Sequence, residues 1–335
     1  MYMHTETISK YRGQWMGIAI LLVALFHCSI QRNHIAIAYL CFIGDMGVDF
    51  FFFLSGMGMY YAFQKKEVSL LEFYQKRTLR IVPAWFLVNL LRQYVFGAGI
   101  GLDLPSVIKL FTGFTFWLDG NLFYWYIPAQ LCFYLMTPLF MKLYKQNKRK
   151  AGGIFAGVWL VLLAICLLAH NADYFIFLFR WPIYFTGIFF GDLAYHKRKL
   201  PKYIPWMALV LLGICGSSLY WLFHHINMTT IRYEYKYIVF YPFALSLCLL
   251  GSLLMEKSHA RLRSLQWLGG ITLEIYLLHE FLLAQFTRLV ADIPFDSWYI
   301  IWNGMVFVIT LAVAWALHQG ISLSGRVLKL AKRNG

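Results

Sequence analysis

Long apolar runs alternate with short polar stretches along this chain, and the runs fall in ten windows: residues 14–31, 39–63, 82–99, 122–143, 152–169, 174–195, 204–224, 236–255, 266–287 and 298–321. A helix rising ~1.5 Å per residue needs about 20 apolar residues to cross a hydrocarbon core of ~30 Å, so each window predicts a membrane-spanning helix. The segment 103–116 has a different pattern. Leu104, Val107, Ile108, Phe111 and Phe114 recur at helical spacing after an Asp-Leu-Pro-Ser start that suits a helix cap. That spacing predicts an interfacial helix on the outer face, with a partial eleventh span as the alternative.

Composition removes the soluble alternative. Of 335 residues 60% are hydrophobic and 13% charged, and the mean hydropathy is +0.60. A water-soluble fold has too little polar surface in such a chain to cover itself. The fold class is therefore an all-α integral membrane bundle of about ten helices. The formal net charge of +15 would suit a nucleic-acid binder, but the basic residues sit in short clusters between the runs, as in cytoplasmic loops, and nucleic acid is set aside.

Alternate connections divide these charges unequally. One set holds Lys10 and Arg12; Lys65, Lys66, Lys76, Arg77 and Arg80; Lys142, Lys145, Lys148, Arg149 and Lys150; Lys197, Arg198, Lys199 and Lys202; Lys257, Arg261 and Arg263; and Arg326, Lys329, Lys332 and Arg333. The other holds Arg32, Lys109, Arg232, Lys236 and Arg288. A division of 23 against 5 predicts that both termini are cytoplasmic. The first run lacks a small-x-small cleavage pattern and reads as an anchor. With no repeat or linker and only a short tail after the last run, one transmembrane domain spanning 1–335 is expected. The six cysteines stand singly inside apolar runs, which fits small buried hydrophobes and calls for neither disulfides nor a metal.

Candidate chemistry lies where the apolar runs are interrupted. His27 is 13 residues beyond Gln14, which puts its imidazole ~20 Å into the slab, toward the outer face. Asp45 and Asp49, four residues apart, share one face of the second helix at depths of ~9 and ~15 Å from that surface. A carboxylate beside a buried imidazole fixes its tautomer and raises its basicity, as a general base requires. The alternatives are an imidazole hydrogen-bonded between packed helices and aspartates that cap a helix or face a wet vestibule. The ninth run carries Glu274, Tyr276, His279 and Glu280, polar groups that belong toward the bundle interior. His279 is an alternative base.

Six stretches taken together resemble the membrane acyltransferase-3 family: MGIAILLVALFH ending at His27, GVDFFFFLSG at 47–56, KRTLRIVPAWF at 76–86, WYIPAQLCFYLMTPL at 125–139, RWPIYFTGIFFG at 180–191 and LGGITLEIYLLHEFLL at 268–283. The resemblance covers nearly the whole chain in order. It implies a ten-span enzyme of a bacterial-type cell membrane that moves an acyl group, usually acetyl, from cytoplasmic acyl-CoA onto a hydroxyl of a cell-surface or lipid-linked carbohydrate. On that reading His27 is the base, with Asp49 or Asp45 orienting it. Arg12, Lys76, Arg77 and Arg80 are implied donor-binding residues for acetyl-CoA. Trp125, Gln130, Arg180, Glu274 and His279 are implied on the acceptor side.

Two positions depart from the family pattern. Met16 stands where relatives carry an Arg or Lys separated from the His by ten intervening residues, and Arg12, one turn nearer the cytoplasm on the same helix face, is the expected substitute. Gln130 stands where many relatives have Glu. Transfer is expected to finish in this domain or pass to a separate extracytoplasmic protein. A glycolipid transporter or flippase would also suit ten spans with buried charges, although no inverted repeat is visible. An inactive relative acting as a sensor is left open by Met16.

Overall fold

The structure, a computed structural model, describes residues 3–28, 35–64, 69–95, 103–169, 173–225, 235–259, 262–289 and 298–334, the side chains of 3, 94–95, 298–300 and 326–334 excepted. Apart from one antiparallel pairing of Met3–His4 with Lys199–Leu200, it is helical. A short helix α1 (Glu6–Lys10) precedes α2 (Arg12–His27), α3 (Ile35–Gly44), α4 (Gly47–Gln64) and α5 (Leu70–Leu90), which ends in a π-helical turn, Leu91–Val95. Next come α6 (Leu104–Thr112), α7 (Phe114–Asp119), α8 (Tyr126–Gln146), α9 (Lys148–Leu168), α10 (Phe175–Leu178) and α11 (Trp181–Tyr195). The chain continues through α12 (Ile204–His225), α13 (Lys236–Lys257), α14 (Arg263–Gly270), α15 (Thr272–Arg288) and α16 (Trp298–Asn334).

Over its described residues each apolar window is mainly helix, yet the windows differ in how far they qualify as spans. Among the described residues six segments are long and apolar enough to cross a membrane, seven if the α14–α15 pair, bent by 79°, is taken as one. The other three windows correspond to α2, α5 and α8. The helix α2 has 16 residues, and both α5 and α8 mix lysine or arginine into their basic ends, which dilutes their apolar length.

The basic connections gather at one end of the bundle. The Thr5 hydroxyl donates to the Arg198 carbonyl at 2.9 Å, Lys10 to Glu256 at 2.6 Å, Lys145 to the Phe63 carbonyl at 3.4 Å and Arg80 to the Gly270 carbonyl at 3.3 Å. Arg32, Lys65, Lys66, Arg232 and Arg261 lie outside the described residues, as do the side chains of Arg326, Lys329, Lys332 and Arg333. At the opposite end α6 begins at Asp103, whose side chain accepts the Ser106 amide at 3.0 Å; bonding to Ser106 holds this carboxyl below the usual range. With nine residues α6 is too short for an eleventh span.

The centre of the bundle is α4, packed chiefly on α11 and α2. Its Phe50–Phe53 run is buried throughout. Two glycines permit these approaches: a Cβ on Gly47 would lie 2.3 Å from the Ala19 carbonyl oxygen of α2, and one on Gly56 would lie 2.1 Å from that of Tyr184 in α11. Between α3 and α4 the helix breaks at Asp45 and Met46, so the two aspartates do not share one uninterrupted helix face as their spacing predicts: Asp45 sits in the break, Asp49 in the first turn of α4.

Candidate active site

Away from the basic end, a cavity of about 320 Å³ opens between α2, the α3–α4 break, the turn before α8, α10, α13 and α15. His27, Asp45, Trp125, Asp173, Tyr237, Tyr276 and Glu280 supply its polar and aromatic walls. His27 is the last residue of α2, so its imidazole leaves the helix end and enters this space. Its Nδ1 lies 3.9 Å from Glu280 Oε1, an ion-pair separation longer than a hydrogen bond. Its ring meets that of His279 edge to face at 4.9 Å.

His279 is 4% exposed and has a fixed orientation. Its Nδ1 faces the Tyr276 and Ile275 carbonyl oxygens at 2.8 and 3.1 Å, and two acceptors there require the hydrogen on Nδ1. Nε2 is then an acceptor, and it has no hydrogen-bond partner among the described residues. His27 and Glu280 therefore meet on the cavity wall, with the His279 ring against that of His27 behind it.

Sequence spacing paired His27 with Asp49 or Asp45, whereas the structure gives both carboxylates to buried cations. Arg180 Nη2 donates to Asp45 Oδ1 at 2.9 Å and its Nε lies 3.5 Å from Asp49 Oδ2. Lys236 Nζ lies 2.8 Å from Asp45 Oδ2. The result is a charge-balanced quartet of two cations and two carboxylates. Arg180, fully buried between the rings of Trp125 and Tyr237, forms part of the wall behind the cavity and presents no surface to an acceptor. Asp45 lines the cavity with His27; Asp49 lies one turn deeper.

Trp125 lines the cavity. The preceding residue, Tyr124, has φ +63°, an unusual backbone for a side chain of this size, and its hydroxyl donates to the Leu277 carbonyl at 2.8 Å. That bond ties the turn to α15 and aims Trp125 at the cavity. Gln130 is deeper and 2% exposed; its Oε1 accepts from the Tyr126 hydroxyl at 3.3 Å, and its Nε2 has no partner among the described residues. Glu274 lies toward the basic end, where Arg80 and His318 contact its Oε1 at 3.2 and 2.9 Å. It does not line the cavity.

The implied donor residues divide. Arg12 extends along α4, with its Nε donating to the Leu54 carbonyl at 3.1 Å, and feels the charge of Arg77. Arg77 stacks on Phe73 and Tyr134 at 5.5 and 5.6 Å. Lys76 turns outward to Glu72 at 2.5 Å, and Arg80 is committed to Glu274. From Arg77 a line of polar tips runs up α8: Tyr134, Gln130 and Tyr126, each four residues apart, occupy one helix face. Tyr126 meets Tyr276 at 5.0 Å, Tyr276 meets His279 at 5.8 Å, and His279 meets His27. This line joins the basic end to the far cavity through the bundle.

An acyltransferase domain description matches residues 17–319, most of the chain and every element just named except the end that holds Arg12. The chain belongs to the acyltransferase 3 family. No curated protein and no solved structure matches it. Family membership implies acyl transfer by a multi-pass membrane protein. Within this acyltransferase, sequence reasoning assigned no role to Lys236 or Tyr237 and did not pair Glu280 with His27. Lys236 did carry a signal: it is one of few basic residues on the sparsely charged side, and it directly opens an apolar run.

Proposed function

We propose that this protein transfers an acyl group, acetyl in the first instance, from acyl-CoA at the basic end to a hydroxyl of a carbohydrate held in the far cavity. The observation that carries the reading is the His27–His279–Glu280 cluster at the cavity, joined by the polar line of α8 to Arg12 and Arg77. The positive-inside rule makes the basic end cytoplasmic, which supports entry of the donor there and acceptance on the outer side.

The residues suit the donor. Arg12 and Arg77 offer cationic partners for its phosphates, and the unpartnered Nε2 atoms of Gln130 and His279 lie along the line its arm would follow. His27 takes the proton of the acceptor hydroxyl as that oxygen bonds to the thioester carbonyl; the carbon–sulfur bond breaks and coenzyme A leaves as the thiol. Glu280 orients the imidazole and stabilises its charged form. Trp125 gives the sugar an apolar face to stack against. Asp45 and Asp49 act through Arg180 and Lys236, holding the cavity wall in place.

The test supplies purified protein in membranes with acetyl-CoA labelled in the acetyl group and a candidate lipid-linked glycan. Label on the glycan with stoichiometric release of coenzyme A is the expected result. Movement of the glycan across the bilayer without any label transfer would instead establish a flippase.

A further inference from the structure

A second built site lies at the basic end, apart from the acyl-transfer machinery. The ends of α4, α8 and α11 surround a hollow of about 470 Å³ walled by Tyr60, Gln64, Lys145, Lys148 and His196. Behind it stands Asp192, 3% exposed, which accepts from the hydroxyls of Tyr60 and Tyr144 at 2.7 and 2.8 Å. The same carboxylate lies against Lys148 and 2.9 Å from His196 Nδ1, so it positions both groups at the rim. Lys148 balances the charge of Asp192. Lys145 has only its 3.4 Å contact with the Phe63 carbonyl among the described residues and adds a further positive charge. The hollow thus attracts an anion.

A second hollow, of about 370 Å³, begins at the same two residues, Tyr144 and Lys148, and follows α8, α9 and α11 away from the basic end. Phe155, Trp159, Trp181 and Phe189 give it an apolar lining. The outer wall is α9, which faces away from the bundle along most of its length, so the groove opens sideways to the bilayer. A cationic mouth at the membrane surface continuous with an apolar groove at hydrocarbon depth has the two-part chemistry of one ligand class. Basic pockets between transmembrane helices on the cytoplasmic side bind acidic headgroups. A free phosphate would fill only the mouth, and a neutral lipid only the groove.

We propose that α8, α9 and α11 hold one anionic phospholipid, its phosphate on Lys145, Lys148 and His196 and one acyl chain along Phe155 and Trp181. The site does not depend on the reaction assigned to the far cavity.

The test titrates full-length protein in neutral detergent with phosphatidylglycerol or phosphatidylcholine, reading bound lipid by native mass spectrometry and melting temperature with each. Phosphatidylglycerol is expected to stay bound and raise the melting temperature, whereas phosphatidylcholine and inorganic phosphate are not. The double variant Lys145→Gln with Lys148→Gln removes the charge, and Ala156→Phe, at a residue of the groove wall, fills the apolar part. Each is expected to lower retained phosphatidylglycerol by roughly tenfold or more. Equal retention of both lipids, or unchanged retention in the two variants, overturns the proposal; equal stabilisation by phosphate reduces the site to a headgroup-sized anion pocket and overturns it too. Should a variant not fold, the ligand comparison on the unmodified protein decides.

Discussion

At the scale of single residues the proposed reaction rests on which imidazole takes the proton. His27 ends α2 and borders the cavity, while His279 is deeper and locked by two carbonyls. His27→Ala is expected to lower kcat by about 10²–10⁴-fold with insertion into the membrane unchanged, since general-base catalysis contributes on that scale. Glu280→Gln removes an orienting charge and is expected to cost less, roughly ten- to a hundredfold. Steady-state rates with acetyl-CoA check both; equal loss in the two variants would make Glu280 the base instead. His27, Asp45 and Asp49 were legible in the sequence because ionisable groups in apolar runs are costly and rare. Their partners were not. Spacing reports which face of a helix a residue occupies, but Arg180 and Lys236 come from windows more than 100 residues away and meet Asp45 only in the folded bundle.

Among the elements, the break between α3 and α4 deserves its own explanation, because a break at membrane depth exposes backbone polar groups that lipid cannot satisfy. Here Arg180 answers it directly: besides the Asp45 carboxylate, its Nη2 reaches the Asp45 carbonyl at 3.4 Å, and its Nη1 donates to the Ile176 carbonyl at 3.1 Å next to a second break, between α10 and α11. One guanidinium thus joins two interrupted spans. Periodicity read both windows as continuous apolar helices, since a one- or two-residue interruption leaves the hydropathy of the run unchanged. Removing one member of the quartet leaves an uncompensated buried charge, a loss of about 3–5 kcal/mol. Lys236→Met alone is therefore expected to lower the melting temperature in detergent more than the double change Lys236→Met with Asp45→Asn. Additive losses in the two singles and the double would show that the pair is not coupled.

Over the whole molecule, the ten windows and the gathering of basic connections at one end were legible because a bilayer imposes length and charge rules on the sequence itself. The connection between the ends was not legible, since Tyr126, Gln130 and Tyr134 differ little from other polar residues of an aromatic-rich helix until α15 is seen beside them. If this line separates a donor end from an acceptor end, substitutions at the two ends should act on different substrates. Arg12→Ala is expected to raise the KM for acetyl-CoA about tenfold, the loss of one charge-assisted contact, while leaving the KM for the glycan unchanged. Trp125→Ala is expected to do the reverse. Met16→Ala, which removes no charge, is expected to be close to silent. Combining Arg12→Ala with Met16→Arg returns a positive charge to the same helix face, displaced ~6 Å toward His27, and is expected to recover part of the lost affinity. Kinetics with each substrate varied in turn decide the matter. A rise in both KM values from Arg12→Ala alone would mean that Arg12 acts on the packing of α2 against α4, where its Nε already holds the Leu54 carbonyl, and would leave Arg77 as the donor's cationic contact.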